Sequence, residues 1–119
     1  MILYGIPNCN TVKKAKDWLN VANLVYEFHD FKKSGVTVDQ LNKWCTKFGW
    51  EKVVNKKGTT WKKQPLSIQE GVISQESAVQ FLLHNTSAIK RPVLEIRGKA
   101  VKIGFDVLEY ERLFEANIG

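Results

Sequence analysis

The stretch Tyr4-Gly5-Ile6-Pro7-Asn8-Cys9-Asn10-Thr11 constrains this chain more than any other. Ile2, Leu3 and Tyr4 read as a short buried strand, closed by Gly5 and Pro7. Beyond Cys9, Val12, Ala15, Leu19 and Ala22 recur at helical spacing, with Trp18 beside them. The cysteine therefore falls at a strand-to-helix junction. A thiol there faces unpaired backbone N–H groups and the positive end of the helix dipole, and both favour the reactive thiolate. Lys13, Lys14 and Lys16 crowd the first turns, where cations oppose the dipole. Alone, such lysines read as a solvated face. Together with Cys9 they read as the surroundings of a negative group, a thiolate or an anionic substrate.

Farther along, Val25-Tyr26-Glu27-Phe28-His29 alternates toward a second strand, and Asp30 to Gly35 reads as a polar connection. Thr37-Val38-Asp39-Gln40 is a capping-box pattern opening a helix with Val38, Leu41, Trp44, Cys45 and Phe48 on its apolar face, and Gly49 interrupts it. The basic stretch from Asn55 to Lys63 reads as loop. Ser67 and Ser74 read as two further helix starts, the second feeding Ala78, Phe81 and Leu82. Val93 to Ile96 and Ala100 to Ile103 flank Arg97-Gly98-Lys99, a hairpin signal. Asp106 opens a last helix carrying Leu108, Leu113 and Phe114. The order is β-α-β, a helical segment, then β-β-α, and the expectation is one domain over residues 1–119.

A chain of 119 residues, 44% hydrophobic and 25% charged, fits an ordinary soluble globular domain. No apolar run reaches the length of a transmembrane helix, and Met1-Ile2-Leu3-Tyr4 lacks the layout of a signal peptide. The expected location is cytoplasmic, with two reduced cysteines rather than a disulfide, and a monomer without membrane contacts. Net charge is +6, yet the lysines are scattered and no nucleic-acid motif appears, so direct nucleic-acid binding is not expected. A basic surface that attracts anionic small molecules such as glutathione accounts for the charge as well. Cys45 reads as a small core hydrophobe. His29 and His84 stand alone, which points to no metal. Trp61, inside the basic stretch, is the tryptophan that would line a site.

The element order, with a cysteine after the first strand and a proline just before the third, resembles the thioredoxin fold. The run from Tyr4 to Ala15, Asn55-Lys56-Lys57-Gly58-Thr59-Thr60-Trp61, and Ile89-Lys90-Arg91-Pro92 together resemble the arsenate reductase-related (ArsC-like) family, in its YffB-type branch related to Spx regulators. That resemblance implies a glutaredoxin-like mixed four-stranded sheet with a helical insertion between the second and third strands. It also implies a nucleophilic Cys9 and a cis bond between Arg91 and Pro92. From the residues alone, Pro92 would read as an ordinary trans proline at a strand boundary.

The implied activity is that of a monothiol reductase: Cys9 attacks an oxidised substrate and glutathione, a co-substrate rather than a bound cofactor, releases it. Asn8, Asn10, Thr11, Lys13, Lys57, Arg91 and Pro92 are the expected glutathione- or substrate-binding residues, with Asn10 or Thr11 capping the helix or donating to the thiolate. Two alternatives follow from the same resemblance. Arsenate reductases of this type resemble one another in three arginines around the cysteine; only Arg91 matches, with Asn55 and Gly104 (or Phe105) at the other places. Spx-type regulators, which contact RNA polymerase, resemble redox switches with a second cysteine three residues on, where this chain has Val12.

Overall fold

A computed structural model describes residues 1–118. By its internal contacts the chain divides into two compact units: residues 1–30 with 91–119, and residues 31–90. The second is the insertion between the second and third strands.

The first unit holds β1 (Ile2–Gly5), α1 (Asn10–Val21), β2 (Glu27–Asp30), β3 (Val93–Ile96), β4 (Lys99–Ile103) and α8 (Val107–Ile118). The sheet runs β2-β1-β3-β4. β2 lies parallel to β1, with Tyr4 opposite His29. β3 is antiparallel to β1 and β4 to β3, which makes the sheet mixed as the resemblance implies. The two residues linking β3 to β4, Arg97 (φ 54°) and Gly98 (φ 78°), both take the left-handed conformation that lets a two-residue turn follow the twist of its strands. The second strand starts later than the alternation suggests: Val25 is 90% exposed, and pairing with Ile2 begins only at Glu27.

Leu3 and Leu94 pair across neighbouring strands and pack with Ala15 and Leu19 of α1 and Tyr110 and Phe114 of α8. Each fully buried side chain of this size is worth about 1.5–3 kcal/mol. Trp18 stacks on Phe114 and meets Tyr110 edge-on at 5.5 Å between centroids. Asp106 caps α8, its carboxylate accepting from the Glu109 N–H at 3.0 Å. The core position expected for Leu108 goes to Tyr110 instead. Leu108 is 63% exposed, because the aromatic pair at Tyr110 and Phe114 matches the Trp18 surface and turns Leu108 outward.

The second unit is helical: α2 (Phe31–Ser34), α3 (Val38–Phe48), α4 (Trp50–Val53), α5 (Thr59–Lys62), α6 (Leu66–Gly71), α7 (Gln75–His84) and a 3-10 turn at Thr86–Ala88. Thr37 and Gln40 form the expected reciprocal cap on α3. Gly49, at φ 90°, ends that helix with its N–H on the Cys45 carbonyl. Ser74 caps α7 with Ser77 in the role usually taken by a longer side chain.

Two segments expected as irregular are helical turns. Phe31 opens α2 and is fully buried, its ring 5.9 Å from that of Trp44. Trp61, in α5, is a core residue packed edge-on to Phe81 rather than a residue lining a site. α6 starts at Leu66 after Pro65, whose fixed φ suits a helix start, and no side chain of Ser67 caps it.

Candidate active site

β1 runs out through Ile6 and Pro7 to Cys9, which is the N-cap residue of α1 with extended dihedrals (φ −136°, ψ 121°). Its carbonyl accepts the first helical hydrogen bond, from the Lys13 N–H at 3.0 Å. Asn10 and Thr11 are thereby the first residues of the helix and cannot cap it. The capping position belongs to the cysteine.

The sulfur makes no capping hydrogen bond of ordinary length. The N–H groups of Val12 and Thr11 nevertheless face it closely enough to stabilise negative charge. Partial burial works the other way and pushes the thiol up. It is outweighed by the Val12 N–H, by a hydrogen bond from the Arg91 side chain and the guanidinium charge, and by the Thr11 N–H, so that Cys9 is held below the usual thiol range. No acidic residue stands in the first turn of α1 to oppose this.

Arg91 reaches the sulfur because of how the strands are ordered. β3 lies beside β1 and starts at the Cys9 end of the sheet, where Val93 opposes Tyr4. The Arg91–Pro92 bond just ahead of it is cis. Pro92 is buried, and its carbonyl accepts a 2.8 Å hydrogen bond from the Gly104 N–H at the end of β4.

Gly5 permits the close approach of α1 to β1: a Cβ there would fall 2.7 Å from a Val12 methyl. Tyr4 is anchored one residue earlier, its hydroxyl donating to the buried Glu95 carboxylate at 3.1 Å.

Of the expected binding residues, Asn8, Asn10, Thr11 and Lys13 are exposed around Cys9 in sequence and structure. Lys16 is engaged elsewhere, its ammonium 3.5 Å from the centre of the Phe28 ring, since its place on the helix turns it toward β2. Lys57 is exposed in the second unit, in the turn ahead of α5. Of the places filled by arginine in the arsenate-reductase pattern, Asn55 also lies in the second unit. Gly104 is buried at φ 76°, and Phe105 packs its ring against Tyr110 at 4.7 Å. The main-chain N–H of Val12 is the contributor that side-chain reasoning passes over; the cysteine's place at a helix start is its sequence signal. Cys45 is 2% exposed, with its thiol pushed by burial up to about 11.

A family model described as the ArsC family matches residues 4–113. The chain belongs to the ArsC family. It is similar to a solved YffB protein, at 36% identity and a TM-score of 0.86, covering 99% of this chain and 98% of that one. It is also similar to an arsenate reductase-related protein of Brucella melitensis, at 38% identity and a TM-score of 0.73, over 96% of this chain and 93% of that one. Among curated relatives, the global transcriptional regulator Spx of Streptococcus mutans is 26% identical over 87% of this chain and 75% of its own length. The thioredoxin-like, ArsC-type sheet with its helical insertion is thus shared with these relatives. Among the described residues no helix is long and apolar enough to cross a membrane, and no three His, Cys, Asp or Glu side chains gather as a metal centre requires.

Proposed function

We propose that this ArsC-family protein is a glutathione-dependent thiol oxidoreductase, a monothiol reductase with Cys9 as its nucleophile. The observation that carries the reading is the convergence on one sulfur of the Arg91 guanidinium and the N–H groups of Val12 and Thr11. Cys9 thiolate attacks one sulfur of a disulfide; a new S–S bond forms, and the other sulfur leaves with the electron pair. The thiolate of reduced glutathione then attacks the adduct, Cys9 leaves as thiolate, and glutathione departs oxidised.

The second thiol comes from solution. Val12 stands where a resolving cysteine one helical turn away would be, and Cys45 is buried and held protonated. Arg91 and Lys13, with Asn8, Asn10 and Thr11, supply groups suited to glutathione carboxylates. The protein acts as a monomer in the cytoplasm, where thiols stay reduced.

The test is the mass of the protein after incubation with glutathione disulfide. One glutathionyl group on Cys9, absent from Cys9→Ser, is expected. No adduct, or an adduct on Cys45, refutes the reading. Arsenate is a poorer substrate for this site, since Asn55 and Gly104 replace two arginines of the oxyanion clamp. Turnover in a coupled assay with glutathione, glutaredoxin and arsenate should be weak or absent. The likeness to the Streptococcus mutans regulator favours a second reading, a protein that binds RNA polymerase without a redox switch. Capture of polymerase subunits from a lysate by the tagged protein, with unreactive Cys9, would select it.

A further inference from the structure

We propose that residues 62–73 of the helical insertion form a docking surface for an acidic protein segment with aliphatic side chains, one face of an amphipathic helix rich in Asp and Glu. The inference goes beyond the chemistry of Cys9 and does not depend on it.

Charge is divided unequally between the two units. Residues 31–90 carry ten lysines against four carboxylates, which accounts for the whole net charge of +6. Residues 1–30 with 91–119 carry eight cations and eight carboxylates and balance. Within the insertion, Lys52, Lys56, Lys57, Lys62 and Lys63 fall inside twelve residues, all exposed, with no carboxylate among them and Glu51 just ahead. A surface with such an excess of one sign steers partners of the other sign toward it.

The same stretch leads into an uncovered apolar patch. Of the eight large hydrophobic side chains exposed among the described residues, three lie between 66 and 73: Leu66 at 67%, Ile68 at 43% and Ile73 at 74%. α6 buries none of its residues. A helix of six residues does not hold itself in water, and this one is fastened from outside. The Gln69 side-chain amide donates to the Trp61 carbonyl at 3.0 Å, and Trp61 is buried edge-on to Phe81. That bond closes residues 61–69 into one anchored loop, on which Lys62, Lys63, Leu66 and Ile68 are all exposed. Val72, buried, pins the chain just ahead of Ile73. Lys56 belongs to the same anchor, its ammonium 5.5 Å from the centre of the Trp61 ring.

Charge selects the occupant. Lys62 and Lys63 form no ion pair among the described residues, and Glu70 is the only carboxylate between 61 and 73. Acidic side chains of a partner complement the lysines, and its aliphatic ones cover Leu66, Ile68 and Ile73. A nucleic acid would meet the lysines and leave the aliphatic residues wet, and Trp61 is buried where a stacking ring would be needed. Gln69 and Glu70 interrupt the apolar face that an anionic bilayer would take up.

The test measures binding of the full chain to a labelled synthetic helical peptide with leucines on one face and glutamates on the other, by fluorescence anisotropy. A second peptide has serine in place of each leucine, and phosphatidylserine vesicles form a third arm. The leucine peptide should bind, more weakly as salt rises, and the serine peptide about tenfold more weakly still. Lys62→Glu with Lys63→Glu, and Leu66→Ser with Ile68→Ser, should each lower affinity for the leucine peptide about tenfold at unchanged far-UV circular dichroism. Val25→Ser, at an exposed position of the first unit, should bind as the wild type does. No binding, equal binding of both peptides, an affinity unchanged in either double variant, or the same loss in Val25→Ser overturns the surface. Vesicle binding without peptide binding assigns the patch to a membrane and overturns the acidic partner. Self-association of the wild type in sedimentation velocity, lost in the double variants, assigns it to a second copy and overturns the proposal equally.

Discussion

Gly5→Ala tests how closely the helix that presents Cys9 is pressed onto the sheet. A methyl group at Gly5 would sit 2.7 Å from Cγ2 and 3.3 Å from Cγ1 of Val12, and 3.6 Å from the Phe28 ring. Carbon atoms pack best at about 3.5–4.0 Å, so roughly 1 Å of relief must come from Val12 or from a shift of α1. Val12 is fully buried, and a β-branched residue in a helix has essentially one χ1 rotamer. Overpacking of this kind costs about 1–3 kcal/mol. Alanine regains about 0.4–1 kcal/mol by restricting the unfolded chain. The net loss is roughly 1–2 kcal/mol. Urea unfolding should show a lower midpoint at unchanged slope. In a Val12→Ala background the offending methyls are gone, and Gly5→Ala should then be neutral or slightly favourable, a coupling of roughly 1–2 kcal/mol in a double-mutant cycle. A neutral Gly5→Ala in the wild type, or the same loss in both backgrounds, refutes the reasoning.

Four further outcomes are expected. Arg91→Met should raise the Cys9 pKa toward that of an ordinary thiol, read as thiolate absorbance lost in Cys9→Ser; an unchanged titration refutes the contact. Because the folded-state pKa of Cys9 is lowered, its contribution to stability is complete above the free-thiol value of about 8.5 and is lost as pH falls through the folded pKa, so Cys9→Ser should flatten that rise in urea midpoints. Cys45, with its pKa raised by burial to about 11, should alkylate far more slowly than Cys9 in the native protein, and its ionisation should cost stability as pH rises from the free-thiol value toward 11; Cys45→Ala should remove that alkaline loss. The Tyr110 hydroxyl is buried with no hydrogen-bond partner among the described residues, so Tyr110→Phe should be neutral or gain about 1 kcal/mol, and a thermal midpoint lowered by several degrees would refute this.

What could be read from the sequence was whatever is encoded within one turn or one period. The cap at Thr37 and Gln40, the turn at Arg97 and Gly98, and the strand-to-helix junction at Cys9 each rest on residues a few positions apart. The helical turns opening at Phe31 and containing Trp61 were not legible, because one apolar residue among polar neighbours has no period. Their burial is decided by Trp44 and Phe81, distant in sequence. Leu108 has the apolar character of a core position, and only the ring of Trp18 settles that Tyr110 turns inward in its place. The approach of Arg91 to Cys9 depends on β3 lying beside β1, a pairing that the residues around Cys9 cannot state and that entered only through likeness to the ArsC family.

The strand order has a consequence for a chain still being synthesised. Cys9 emerges from the ribosome early, and the N–H groups of Thr11 and Val12 come with it as soon as α1 forms. Its guanidinium partner is delivered only after the whole helical insertion has been made and β3 has found β1. Such a sequence-distant pairing forms late in folding. A nascent or truncated chain thus lacks the guanidinium, and the Cys9 thiol reaches its lowered pKa only once the sheet closes. The lowered pKa of Cys9 is in this sense a report that the sheet is complete.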